Sequence, residues 1–319
     1  MSWRDNLIKI EPYVAGEQPN KTDFIKLNAN ENPYPPAPGV LRAIEQFRGG
    51  SLKKYPDANA KPLADALAKR FGLQRENVFV GNGSDDVLAL CFRAFFNSDK
   101  PVIYPDITYS FYPVWCEMLH IPFETIPVDD SFNINAADYK RPNGGVVIAN
   151  PNAPTSIGRG LDFMREILDA NPDSVVISDE AYVDFGGTSS VPLLKEYENL
   201  VVVQTFSKSR SMAGMRIGYA LGNKEIISAL FAAIPTRWTA LPSRQALPPW
   251  RTRSISRQRC RRSLQRAGGS LRSSAQWASM LQTAARTSCL QSTRNTAQRI
   301  SRSISRPGIF TCATSPKSA

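Results

Sequence analysis

The chain has 319 residues, enough for a full globular domain with a substantial core. Its net charge of +11 averages two unlike segments. Of 39 Lys and Arg residues, 16 lie after Ala233, and none of the 28 Asp and Glu do, so residues 1–233 carry 23 cations against 28 acids and the body is not that of a basic, polyanion-binding protein.

Residues 1–6 lack the apolar region of a secretion signal, and no run approaches the length of a membrane span. Along the chain, short apolar runs alternate with helical patterns. Residues 63–71 read as a helix, 78–80 as a buried strand, 86–96 as a helix and 102–104 as a strand. A helix at 111–119, a strand at 146–148, a helix at 162–169 and a strand at 175–177 follow. The series closes with strands at 201–203 and 216–221 and a helix at 225–233. Short, continuously apolar strands between helices predict an α/β fold, a mainly parallel sheet with helices on both faces. Cys91 and Cys116 sit in apolar or aromatic settings and read as buried free thiols of a reducing compartment. His120 is the single histidine, which argues against a His-based triad or a His-ligated zinc; no cysteine spacing suits a metal.

In such sheets ligands bind beyond the carboxyl ends of the strands, and the polar residues here fall there. After 78–80 comes Gly81-Asn82-Gly83-Ser84-Asp85-Asp86, a helix opening whose free N–H groups and dipole suit a phosphate. After 146–148 comes Asn150-Pro151-Asn152-Ala153-Pro154-Thr155. After 175–177 comes Ser178-Asp179-Glu180-Ala181-Tyr182, and after 201–203 comes Thr205-Phe206-Ser207-Lys208. Each set alone reads equally as a cap, a loop, a strand-end acid or a surface lysine; their coincidence at one edge is harder to dismiss. A lysine at the edge of a dry core can act as a nucleophile toward a carbonyl carbon, and Arg216 with nearby hydroxyls offers a phosphate seat. These residues predict a Schiff-base lysine for pyridoxal 5'-phosphate. Asp179 would keep the cofactor's pyridine nitrogen protonated, Tyr182 and Asn152 would hydrogen-bond its phenolic oxygen, and Tyr109 would stack on its ring. Lys208 would also move the proton at the substrate's Cα.

These four sets resemble fold-type I aminotransferases of classes I and II. Lys26-Leu27-Asn28-Ala29-Asn30-Glu31-Asn32-Pro33-Tyr34, Lys54-Tyr55-Pro56-Asp57 and residues 205–216 narrow the resemblance to histidinol-phosphate aminotransferases, over roughly residues 5–233. The resemblance implies Lys208 as the Schiff-base lysine, Asp179 as the pyridinium partner, Asn152 and Tyr182 as ligands of the ring oxygen and Tyr109 as the stacking ring. Ser84, Asp85, Thr205, Ser207 and Arg216 would form the phosphate cup, the first two through backbone N–H groups. Tyr55 would reach the cofactor of a neighbouring subunit in a homodimer; on its own it reads equally as a turn aromatic. The implied reaction is transamination between histidinol phosphate and 2-oxoglutarate, in the cytoplasm. A threonine-phosphate decarboxylase on the same framework is the closest alternative.

The sequence divides into an arm (1–30), a cofactor-binding large domain incomplete at its end (31–233) and an Arg/Ser-rich tail (234–319). The tail shows no sustained apolar periodicity, so it cannot easily offset its chain entropy by burial. Relatives instead continue with a smaller C-terminal domain that closes over the site. A change of reading frame near codon 234 best accounts for the abrupt loss of acids. Functionless filler and an Arg/Ser segment that binds nucleic acid are the alternatives. The last of these, on a catalytically dead chain, is the rival functional class.

Overall fold

The computed structural model describes residues 28–47, 49–53 and 55–234. All of them lie within the unit Met1–Gly269. The expectations for residues 1–27, Lys54 and 235–319, including every reading of the tail beyond Ile234, lie outside the described residues.

Seven strands form one sheet: β1 (Val78–Gly81), β2 (Val102–Pro105), β3 (Phe123–Ile126), β4 (Gly145–Ala149), β5 (Val176–Asp179), β6 (Leu200–Thr205) and β7 (Gly218–Leu221). The spatial order is β1-β7-β6-β5-β4-β2-β3, and every neighbouring pair is parallel except those made by β7. Parallel neighbours need a long crossover. Between β6 and β7 the chain has only residues 206–217 with a single short turn, Ala213–Met215, and β7 comes back antiparallel.

The helices are α1 (Pro38–Glu45), α2 (Lys61–Phe71), α3 (Ser84–Phe95), α4 (Phe111–Leu119), α5 (Leu161–Ala170) and α6 (Lys224–Ala233). In α2 the buried residues are Leu63, Ala64, Leu67 and Ala68; in α3, Val87, Leu88, Cys91 and Phe92; in α5, Phe163, Met164, Ile167 and Leu168. This i, i+1, i+4, i+5 spacing makes one apolar stripe per helix. Gly72 ends α2 in the left-handed region at φ 68°, which suits a residue without Cβ. α2 and α5 pack with Val80, Ile103, Ile148 and Val202 on one face of the sheet. α3, α4 and α6 pack with Phe79, Tyr104, Val147, Ile177 and Val201 on the other. Each fully buried Val, Leu, Ile or Phe stabilises such a core by roughly 1.5–3 kcal/mol, and the two-sided burial explains why β1, β2, β4, β5 and β6 are apolar without alternation.

The α/β architecture is as the sequence predicts. Cys91 and Cys116 are buried free thiols, and burial raises both, Cys116 to about 12. Three local readings change. α1 and β3 are additional; β3 is an edge strand with three of its four residues exposed, so it lacks the apolar run that marks the others. Arg216 is not in a strand: it sits at φ 49° just before β7, in the left-handed region, with Ala213–Met215 behind it. The strand at 175–177 extends to Asp179, so that acid is the last residue of β5 rather than part of the loop.

Candidate active site

Register sets the site. Ala149 of β4, Asp179 of β5 and Val203 of β6 are paired in a row, while Gly81 of β1, Gly218 of β7 and Thr205 of β6 make a second row. The loops leaving these positions enclose a cleft of about 230 Å³. Ser84, Asp85, Tyr109, Asp179, Tyr182, Ser207, Lys208 and Arg216 line it, all of them residues singled out from the sequence.

At one end of the cleft a guanidinium stands beside a helix N-terminus, a pairing that could hold an anion. Gly83 precedes α3 at φ 97°, and a Cβ there would meet the Arg216 guanidinium. A Cβ at Gly218 would collide with the backbone of Gly83 and Ser84, so β7 lies against the opening of α3 only because residue 218 is glycine. The first turn of α3 thus places its unpaired N–H groups, near Ser84 and Asp85, beside Arg216. Arg216 Nη2 faces the Asp85 carboxylate at 3.3 Å, and Tyr109 Oη donates to the same group at 2.9 Å. Ser207 lines the cleft, whereas Thr205 stands one step behind: its Oγ1 accepts from Ser207 N at 3.1 Å and donates to Ser207 Oγ at 3.0 Å.

The other end holds a buried acid. Asp179 is 5% exposed and accepts from Tyr112 Oη at 2.8 Å and from Ala181 N at 3.3 Å. Desolvation pushes its carboxyl up to about 6, the two hydrogen bonds acting against that rise. Tyr112, unmarked in the sequence reading, is fully buried among Phe92, Tyr104, Tyr109 and Trp115, and its hydroxyl is raised well above the usual range by burial first and by the Asp179 charge second. Nothing in its local sequence marks that partnership, which spans 67 residues.

Lys208 Nζ projects to the cleft, 3.4 Å from Ala29 O and 5.4 Å from the Tyr182 ring centroid. The N-terminal strip crosses above it. Asn30 Nδ2 donates to Tyr182 Oη at 3.0 Å, Asn32 Nδ2 donates to Lys208 O at 3.1 Å, and Glu31 joins the lining. Sequence reasoning used this strip only as a mark of resemblance and did not place it in the site.

Besides Thr205, two expected residues stand outside the cleft lining. Asn152 is buried behind the wall formed by its neighbours Pro151 and Ala153; its amide donates to Ile107 O and Thr155 Oγ1, and its Oδ1 accepts from Thr108 Oγ1. Tyr55 is fully exposed and is not part of the cleft lining. Among the described residues no cluster of His, Cys, Asp and Glu suits a metal, and no helix is long and apolar enough to cross a membrane. His120 is exposed at the left-handed C-terminal cap of α4, away from the cleft lining.

The family model for aminotransferase class I and II matches residues 22–300. A histidinol-phosphate aminotransferase of Lactococcus lactis subsp. cremoris is 54% identical over 231 residues, which is 72% of this chain and 65% of that protein. The chain therefore spans just under two thirds of the length of that curated relative. Among solved structures, a putative histidinol-phosphate aminotransferase from Erwinia carotovora atroseptica superposes with a TM-score of 0.69 at 21% identity, covering 76% of each chain. The histidinol-phosphate aminotransferase of Sinorhizobium meliloti in complex with pyridoxal-5'-phosphate does so with a TM-score of 0.64 at 24% identity, covering 73% of this chain and 65% of that one. These two likenesses establish the fold. By its sequence over residues 22–300, the chain belongs to the class I and II aminotransferase family.

Proposed function

We propose that this chain is a pyridoxal-phosphate enzyme of histidine biosynthesis that transfers an amino group from histidinol phosphate to 2-oxoglutarate. One observation carries the reading: a lysine, a buried carboxylate and an anion seat, drawn from four separate strand ends, share a single cleft. The 54% identity to a histidinol-phosphate aminotransferase supports the choice of substrate over that of a threonine-phosphate decarboxylase.

The residues fit the cofactor by charge and placement. Arg216 and the first N–H groups of α3, with Ser207 braced by Thr205, match a phosphate dianion. Asp179, at the opposite wall and out of water, matches a cationic ring nitrogen, since a buried carboxylate held up near 6 gains most from an opposite charge. When bound, pyridoxal phosphate supplies an electrophilic aldehyde and an electron-accepting ring. Lys208 Nζ is the attachment point and then holds and moves the proton at the substrate's Cα. Tyr182 Oη, which accepts from Asn30, would donate to the ring oxygen, and Tyr109, in the cleft lining, would cover the ring face. Asn152 can join Tyr182 only by exchanging one of its two present acceptors. Tyr55 serves the cofactor of the partner subunit in a cytoplasmic homodimer, consistent with its full exposure in the single chain. Residues 31–233 form the cofactor-binding large domain, after an arm at 1–30 and before an out-of-frame tail.

The test is titration of the purified chain with pyridoxal phosphate. A visible absorption band, a borohydride-trapped adduct on the peptide carrying Lys208, and loss of the band on adding histidinol phosphate are expected. An adduct on another lysine, or none on folded protein, overturns the reading. Reading the gene around codon 234 in its other two frames tests the tail: a C-terminal domain resembling those of relatives is expected in one of them.

A further inference from the structure

Lys208 lies in the loop between β6 and β7, where no regular element fixes it, yet its Nζ must keep one place relative to Asp179 and Tyr182. A polar cluster outside the cleft lining joins that loop to the turn after Tyr182. Asp184 belongs to the short helix Val183–Phe185 that directly follows Tyr182. Its Oδ2 accepts from Ser209 Oγ and pairs with Arg210 Nη1 at 2.8 Å. Arg210 Nη1 also donates to Thr205 O, the last carbonyl of β6, at 3.0 Å, and Nη2 reaches Tyr219 Oη of β7 at 3.5 Å. The guanidinium lies over the Phe206 ring, 5.1 Å from its centroid, and the side chain is only 11% exposed. On the other side, Asn32 Nδ2 holds the carbonyls of Lys208 and Ser209. One arginine thus ties together β6, β7 and the Tyr182 turn, while the adjacent serine, directly after Lys208, is bound to the same acid.

We propose that Asp184, Ser209 and Arg210 form a clasp that positions Lys208 for attachment to the cofactor aldehyde. The inference rests on the reading of the cleft as a pyridoxal-phosphate site. All three are positioning residues: none lines the cleft, and each acts through the backbone on either side of Lys208. Only a planar fork can make these bonds from one side chain, so a lysine at 210 keeps the charge and loses the geometry.

Two ligands separate positioning from plain structural support. Pyridoxal phosphate must be attacked by Lys208; pyridoxamine phosphate fills the same cleft but has no aldehyde to attack. Full-length Arg210→Gln and Asp184→Asn are expected to bind pyridoxal phosphate about tenfold more weakly, with slower borohydride trapping at Lys208, as the loss of a charge-assisted bond implies. Pyridoxamine phosphate affinity should stay within about twofold, since its phosphate and ring contacts do not use the clasp. Arg210→Lys should fall between, and Ser209→Ala, which removes one hydroxyl and folds most readily, should show the smallest loss of the same kind. Equal weakening of both ligands together with a lowered melting temperature, or no change for either, overturns the clasp. A wild-type chain that binds pyridoxamine phosphate but shows no adduct at Lys208 sinks the cofactor reading itself, and the clasp with it.

Discussion

Asp179 and Glu180 are consecutive acids, both almost completely buried, and at the end of β5 their side chains leave the chain on opposite sides. Asp179 turns toward the layer of α3 and α4, has two hydrogen-bond donors and borders the cleft. Glu180 turns toward the other layer and has four: Ser189 Oγ and Ser190 N at 2.6 Å, Gln204 Nε2 at 2.8 Å and Ser178 Oγ at 3.2 Å. Gln204 is oriented in turn by Tyr219 Oη at 2.6 Å. Burial raises both acids, Asp179 to about 6 and Glu180 to about 7. A raised value therefore does not distinguish a functional acid from a structural one. The difference lies in unused acceptor capacity: Glu180 is saturated by the protein, whereas Asp179 faces a space where a ligand can bind.

Experiments that break this contrast rank by their expected effect on the cleft. Lys208→Ala should have the largest, abolishing the visible band and reducing transamination by at least about 10³-fold, as loss of an attacking amine and proton carrier implies. Asp179→Asn should come next, lowering turnover by roughly 10²-fold. In the wild type, cofactor affinity should weaken as pH falls through about 6, because protonation removes the charge that faces the ring nitrogen. Asp179→Asn should remove that dependence, so an unchanged pH profile in the variant would refute Asp179 as the partner.

Tyr112→Phe sharpens the comparison. It strips one of the two donors from Asp179 and leaves a buried acceptor short, at a cost of about 1–3 kcal/mol. The midpoint near 6 should move upward, since that hydrogen bond lowers it; a downward shift measured by cofactor titration would contradict the geometry. Glu180→Gln should affect the cleft least and folding most visibly. Glu180 is an acid raised in the folded state, so between about 4.5 and 7 the native chain holds a proton that the unfolded chain has released, and stability falls as pH rises across that window. The loss is of order 3 kcal/mol. Chemical denaturation at pH 5 and pH 8 should show this slope in the wild type and a flatter one in the variant, with cofactor affinity little changed.

Much of this molecule is legible in its primary structure. Short β-branched runs such as Val201-Val202-Val203 read as strands buried on both faces, and the polar residues that follow them gather at one sheet edge, because parallel strands share a direction. Lys208, Asp179, Tyr182 and Ser84 follow from that rule. The exposed edge strand β3 does not, since its residues carry no apolar run.

What the amino-acid order determined was which segments are buried and which residues could do chemistry at their ends. Tertiary structure alone decided that β7 runs backward beside β6, that Tyr112 caps Asp179, that Asn30 and Asn32 reach across more than 150 residues to Tyr182 and Lys208, and that Asn152 stands behind the wall. Burial is a property of local composition and spacing, whereas hydrogen-bond partnership depends on which distant atoms the packed layers bring within about 3 Å.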